Sequence, residues 1–189
     1  MKPLRLIACC SLLLLSACVT QTPRISGGST ARSVSELRDW TATGRIGVSS
    51  PEQSGSGGFT WTQQASASKV QLRGPVGVGS LVITSDGKNL SIQSSDGTQY
   101  DADAALAELQ ARLGAAIPVQ QLRYWILGIA APGAASNADA SGNVLQQAGW
   151  RIEYGDWLQR DGLRLPAKLT LTREQLRIVM VVQSWQLES

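Results

Sequence analysis

Histidine is absent from all 189 residues. Its absence removes a Ser-His-Asp triad, a Cys-His pair and every histidine metal site from consideration. Carboxylates survive as acid–base groups, but Asp86, Asp96 and Asp161 each precede a glycine, and a turn explains that pairing without chemistry. No catalytic residue, metal or cofactor is expected. A long apolar run is missing too: residues 6–15 form a stretch of only about 10 residues, against roughly 20 needed to cross a bilayer. Charge of one sign is barely in excess, with 17 Lys+Arg against 14 Asp+Glu. No basic cluster stands out, so nucleic acid is not an expected partner.

What is present begins with Lys2 and Arg5, followed by the short apolar run and then Leu15-Ser16-Ala17-Cys18. Positive residues, a short apolar segment and small residues make a secretory signal rather than a transmembrane anchor. The cysteine directly after Leu-Ser-Ala resembles the lipobox of bacterial lipoproteins. That resemblance implies a diacylglyceryl thioether on Cys18, cleavage just before it, and acylation of the freed amine. Residues 1–17 are then a signal peptide that is removed, 18–32 a lipidated cysteine with a flexible tether, and 33–189 one domain. Cys9 and Cys10 leave with the signal, so Cys18 is the single mature thiol and no intramolecular disulfide is available. Without Lys2 and Arg5 the balance is 15 basic against 14 acidic side chains, almost neutral. Roughly 170 residues remain, enough for one domain with a sizeable core.

From Val19 to about Arg32 the chain is rich in Thr, Ser and Gly, the composition of a tether. Val34, Leu37 and Trp40 then fall at helical spacing, and Ser33 with Glu36 predicts a capping box. Beyond them the period becomes two. Phe59–Thr62, Val70–Arg73, Leu81–Ile83, Leu90–Ile92, Trp150–Tyr154 and Leu169–Leu171 read as strands, with Asp86-Gly87, Asp96-Gly97 and Asp161-Gly162 as turn signals. In residues 176–187, Ile178, Met180 and Val182 face one way and Val179, Val181 and Trp185 the other, which predicts a strand covered on both sides. Leu106, Leu109 and Leu113 form a helical stripe with Asp103 as its cap and Gly114 as its stop. Pro118 opens a second helix carrying Val119, Leu122 and Ile126, and Gly128 ends it. Residues 130–143 read as a mobile surface loop. An antiparallel meander with two helices covering the open face of an incomplete barrel fits these signals.

Two segments invite a functional reading. Gly74-Pro75-Val76-Gly77-Val78-Gly79 lacks the Gly-Lys-Ser/Thr of a phosphate loop and any following helix. Its valines either fold back onto the core or form a protruding apolar tip that touches lipid. Tyr124 and Trp125, within Arg123–Ile129, either belong to a core-rich helix end or border a cavity, since aromatic rings combine apolar area with a polar handle.

Taken in order, Phe59-Thr60-Trp61, Gly74-Pro75-Val76-Gly77, the segment 86–101, Trp125-Ile126-Leu127-Gly128, Trp150–Gly155 and Leu165–Leu169 through Trp185 resemble the outer-membrane lipoprotein receptor family LolB. The resemblance runs from the lipobox to the C-terminus. It implies a mainly β fold, an unclosed antiparallel β-barrel with helices plugging the opening around an apolar cavity. The implied activity is acceptance of acylated lipoproteins from the periplasmic carrier LolA and their insertion into the outer membrane, without nucleotide hydrolysis. The implied partners are LolA, the acylated cargo and outer-membrane phospholipid; a monomer is expected, lipid-anchored and facing the periplasm. In the family a bulky apolar residue, usually leucine, occupies the position of Val76 and serves membrane insertion; here the role falls to Val76, Val78 or both. Outer-membrane sorting accords with Val19, since aspartate after the acylated cysteine is the familiar inner-membrane retention signal. Candidate cavity-lining residues are Val70, Leu72, Leu81, Ile83, Leu90, Ile92, Trp125, Ile152, Leu169, Leu171, Ile178, Met180 and Val182, each of which would otherwise fill a core. The alternative is a lipid-anchored half-barrel that binds a free lipid or hydrophobic small molecule.

Overall fold

The computed structural model describes residues 33–51, 54–74, 79–113 and 117–188. Six strands come first: β1 (Asp39–Ser49), β2 (Ser54–Gln64), β3 (Ala67–Arg73), β4 (Leu81–Ser85), β5 (Leu90–Ser94) and β6 (Gln99–Tyr100). Two helices interrupt them, α1 (Ala102–Leu113) and α2 (Val119–Trp125). The chain then forms β7 (Ser136–Ala138), β8 (Val144–Gln147), β9 (Trp150–Tyr154), β10 (Trp157–Arg160), β11 (Leu163–Pro166), β12 (Lys168–Arg173) and β13 (Leu176–Leu187). Eleven strands make one sheet in the order β6-β5-β4-β3-β2-β1-β13-β12-β9-β8-β7, and β10 pairs only with β11. All pairings are antiparallel, and the end strands β6 and β7 do not meet, so the sheet is mainly local meander and is unclosed. The long-range step is β1 against β13, which runs from Trp40 opposite Leu187 to Ser49 opposite Arg177 and joins the two halves of the chain.

That central pair carries the main irregularity. Thr43 pairs with Ser184 but Gly44 pairs with Val182, so Gln183 is an extra residue in β13. The bulge shifts the alternation by one, and Trp185 comes round to the same face as Ile178, Met180 and Val182. β13 is therefore covered on one side only, with Val181 exposed on the other, which corrects the two-sided expectation. Trp185 packs at 5.3 Å from Trp40, whose other neighbour is Trp61 at 5.5 Å. Gly44 is what lets β1 lie this close. A Cβ there would overlap the Val181 carbonyl oxygen and stand 3.0 Å from the Phe59 ring.

Other elements differ from expectation for local reasons. The first helix is a single 3-10 turn, Val34–Glu36, and Trp40 already belongs to β1. The capping box is present: the Glu36 carboxylate accepts the Ser33 N–H at 3.1 Å and the Ser33 hydroxyl accepts the Ser35 N–H at 3.4 Å. Of the three Asp-Gly signals, only Asp161-Gly162 is a two-residue turn, with φ of 49° and 78°. At Asp86 the loop takes four residues, because the carboxylate accepts the N–H groups of Asn89 at 2.7 Å and Lys88 at 2.8 Å. Those bonds hold its pKa down to about 2. Residues 130–143 are not wholly loop; they include β7, which pairs with β8 at the sheet edge. Asp103 lies in the first turn of α1 rather than before it, Leu106 is exposed, and Gly114 lies outside the described residues.

The Gly44 environment leads to a specific expectation. Gly44→Ala drives its Cβ into the Val181 backbone carbonyl and against the buried Phe59 ring, and overpacking of this kind costs about 3 kcal/mol. Urea denaturation followed by tryptophan fluorescence should show that loss, and a midpoint within error of wild type would refute the close-approach account.

Candidate functional site

Register fixes which side chains share a face. Leu72 and Val70 sit opposite Phe59 and Trp61 on one side and Leu81 and Ile83 on the other. Ile83 then faces Ile92, and Ile92 faces Tyr100. Across the centre, Ala42 stands between Trp61 and Trp185, and Ile46 between Gly57 and Met180. Met180 faces Leu169, Ile178 faces Leu171, and these face Tyr154 and Ile152. All the strand residues proposed as cavity lining therefore lie on one face of the sheet. That face carries most of the large apolar side chains of the core, and Leu37, Trp125, Ile126, Leu127, Leu163 and Leu165 join the same cluster from other elements.

Burial divides this face in two. Ile152, Leu169, Leu171, Ile178, Met180 and Val182 belong to the main packed cluster. Leu90 and Ile92 form a smaller cluster against Leu81, Ile83, Tyr100 and Val119. Val70, Leu72, Leu81 and Ile83 are half-buried. α2 connects the two parts, because Val119 packs on both clusters while Trp125, at the other end, stacks 6.3 Å from Trp150. α1 packs along β5 and β6.

A buried polar junction holds the end of α2 in place. Gln147, on β8, is 2 % exposed. Its side-chain oxygen accepts the Trp125 indole N–H and the Ala131 N–H, each at 2.8 Å. Its amide nitrogen donates to the carbonyls of Ala131 at 2.8 Å and Ala134 at 3.0 Å. The whole hydrogen-bonding capacity of the amide is thus used. The Tyr154 hydroxyl donates to the Trp125 carbonyl at 3.1 Å, and burial pushes its pKa well above the ordinary value of 10.0. The expectation for Trp125 took no account of this junction. The available signal was a glutamine at an inward position of a β8 read with period two, next to the turn that leads to Trp150.

A family model, described as outer membrane lipoprotein LolB, matches residues 38–185. The chain belongs to the LolB family. It is 32% identical to outer-membrane lipoprotein LolB of Stutzerimonas stutzeri over 96% of this chain and 94% of that one. It is 33% identical to outer-membrane lipoprotein LolB of Pseudomonas paraeruginosa over 95% and 94% respectively. Among solved structures, a LolA superfamily protein from Nitrosomonas europaea has a TM-score of 0.50 at 10% identity, covering 85% of this chain and 90% of that one. A DUF1329 family protein from Desulfovibrio piger also has a TM-score of 0.50, at 7% identity, covering 82% and 88%. At such identities the structural matches speak to fold alone. As a LolB-family member, the protein is a lipoprotein of the outer membrane.

In this LolB-family chain Cys18, Val76 and Val78 lie outside the described residues. Open clefts are found elsewhere. One of about 700 Å³ is lined by Thr62, Gln64, Lys69, Thr84, Asp86 and Ser91 among others, and of the candidate lining residues includes Leu90. A second, of about 610 Å³, lies along β7, β8 and the β12–β13 turn. A third, of about 170 Å³, is bordered by Arg38, Trp40, Arg123 and Tyr124. There the Arg123 guanidinium donates to the Tyr124 hydroxyl at 2.6 Å and lies 4.7 Å from that ring's centre. Tyr124 thus borders a cleft, whereas Trp125 is fully buried.

Two measurements test this arrangement. Gln147→Leu strands the Trp125 and Ala131 N–H groups and is expected to cost about 4 kcal/mol, more than one neutral hydrogen bond contributes. Urea denaturation checks it, and a loss below about 1 kcal/mol would mean the junction is dispensable. For Tyr154 the sign follows from its raised pKa: the folded state holds the proton that the unfolded chain begins to release near pH 10. Stability is therefore intact below pH 10 and falls as pH rises above it. Tyr154→Phe should flatten that fall between pH 9 and about pH 11, read as urea midpoint against pH.

Proposed function

We propose that this LolB-family protein accepts acylated lipoproteins from the soluble periplasmic carrier LolA and inserts them into the outer membrane without nucleotide hydrolysis. The observation that carries this reading is the continuous apolar face of an open sheet, on which Val70, Leu72, Leu81 and Ile83, like Ile46 and Val48, are only half-buried. On this reading those four residues, with Leu90 and Ile92, meet the acyl chains first, and α1 and α2 plug the opening around an apolar cavity. Each methylene shielded from water contributes about 0.8 kcal/mol, so a multiply acylated protein needs such a shelter to cross the aqueous space. No energy source is required if affinity rises from carrier to receptor to bilayer. Residues 1–17 are the signal peptide, Cys18 carries the lipid, residues 19–32 are the tether, and the monomeric domain works facing the periplasm. Val76 and Val78 serve as the apolar tip that enters phospholipid when cargo is released.

A reconstituted transfer assay tests these roles. Purified carrier loaded with labelled lipoprotein is mixed with the lipid-anchored protein in liposomes, without nucleotide. Label should move to the liposomes; if it stays on the carrier, the reading fails. The double variant Val76→Glu, Val78→Glu should still take label from the carrier but deposit it about tenfold less, since charge opposes entry into hydrocarbon. Deposition equal to wild type would remove the valines from insertion.

A further inference from the structure

The opposite face of the same sheet has a different chemistry. On β3, β2, β1, β13 and β12 the outward positions are mostly Ser, Thr, Gly and Gln. Five of them are cations, Lys69, Arg73, Arg45, Arg177 and Lys168, and all five are exposed. The one outward acid on these strands is Asp39, at the far end of β1, where its carboxylate accepts the Ala65 N–H at 3.0 Å. Among the described residues, none of the five cations has an ion-pair partner, whereas Arg151 and Arg173 nearby are paired with Glu153 and Glu174.

Their placement follows the register. Arg73 faces Gly58, Gly58 faces Arg45, Arg45 faces Val181, and Val181 faces Lys168. A row of cations separated by a glycine and a valine thus crosses five strands, about 19 Å at the usual strand spacing. Arg177 lies four residues along β13 from Val181, and Lys69 lies four residues along β3 from Arg73. Lys69 shares its cleft with Asp86 and Asp101, but Arg45, Arg73, Arg177 and Lys168 have no ion-pair partner among the described residues; like charges gathered on one face are unfavourable for folding, which points to a ligand rather than to stability.

We propose that this outward face of β3, β2, β1, β13 and β12 docks on the anionic phospholipid headgroups of the membrane that anchors the protein, with Arg45, Arg73, Arg177, Lys69 and Lys168 meeting their phosphodiesters. A plane of charge suits this face better than a folded partner. Protein interfaces centre on aromatic and large apolar anchors in pockets, and here only Val179, Val181 and the small Ala67 interrupt a polar surface. Arginine offers phosphate two parallel N–H donors, and cations near an anionic surface each strengthen association about fivefold. The proposal rests on the outer-membrane location of the protein and not on cargo transfer.

Chemical footprinting of the intact lipid-anchored protein tests it. The acylated chain is inserted into preformed vesicles of phosphatidylcholine, with or without 30 mole per cent phosphatidylglycerol in a phosphatidylcholine background. Arginines are modified with a phenylglyoxal reagent and lysines by acetylation, and rates are read by peptide mass spectrometry. Modification of Arg45, Arg73, Arg177, Lys69 and Lys168 should slow about fivefold in the anionic vesicles and recover in half-molar salt. Arg160, on β10, serves as the internal reference and should not change. Equal rates in the two vesicle types would overturn the proposal. So would protection that appears in neutral vesicles only when the carrier protein is added, which would assign the face to an acidic protein partner. The double variant Arg45→Gln, Lys168→Gln should fold as wild type and lose part of the protection at Arg73 and Arg177; unchanged protection there would also count against a shared headgroup surface. Because no cargo is present, the outcome is independent of whether transfer occurs.

Discussion

An open sheet with one apolar face must be covered by something that brings its own backbone into the interior. Here the cover is α2 and the chain that follows it, and a turn-rich segment has carbonyls and N–H groups that no helix or ladder satisfies. Gln147 supplies what is missing: a single amide bonds the Trp125 indole, both polar groups of Ala131 and the Ala134 carbonyl. Tyr154 adds a bond to the Trp125 carbonyl from the neighbouring strand. With these contacts the α2 end is fixed to β8 and β9, and the packing of Trp125 against Trp150 follows. Residue 119, at the other end of the helix, lies on the smaller Leu90–Ile92 cluster. The two ends of one short helix therefore set how the face is divided between a closed core and a less buried region.

Much of this face could be read from period two alone. Alternation assigns a side chain to one face or the other, and any even shift in register keeps the assignment. For that reason residues as distant as Val70, Ile152 and Met180 share a face whatever the order in which their strands pair. β1 was missed because Thr41-Ala42-Thr43-Gly44-Arg45 has little contrast between its two sides, and it is recognisable only through its partners Trp61 and Trp185. Trp185 was placed on the wrong face because one bulged residue, Gln183, inverts the pattern, and no local sequence marks a bulge imposed by the opposite strand. β7 has no apolar alternation at all; it exists because β8 offers a free edge. Period two puts Gln147 on the inward side of β8 but does not say what it bonds. Its function depends on α2 and on residues 131–134, which only the tertiary fold brings to it.

The same strands separate two kinds of surface with little mutual interference. Along β13, Ile178, Met180 and Val182 point into the apolar side while Arg177 and Val181 point out. In β1 and β2, glycines at positions 44, 57 and 58 thin the sheet between them, and Gly57 has room for nothing between itself and the Arg73 carbonyl. On the proposed function this separation matters physically. Acyl chains are held by dispersion and loss of hydrated surface, which act only on contact. Headgroups are attracted by charge, which reaches about 8 Å at physiological ionic strength. If both ligands used one face, the cations would have to be desolvated beside hydrocarbon, a cost that opposes cargo binding. Placed back to back across one sheet, the electrostatic surface can orient the domain on the membrane while the apolar face stays available, so membrane attraction need not weaken the hold on cargo until the bilayer itself offers the chains a better solvent.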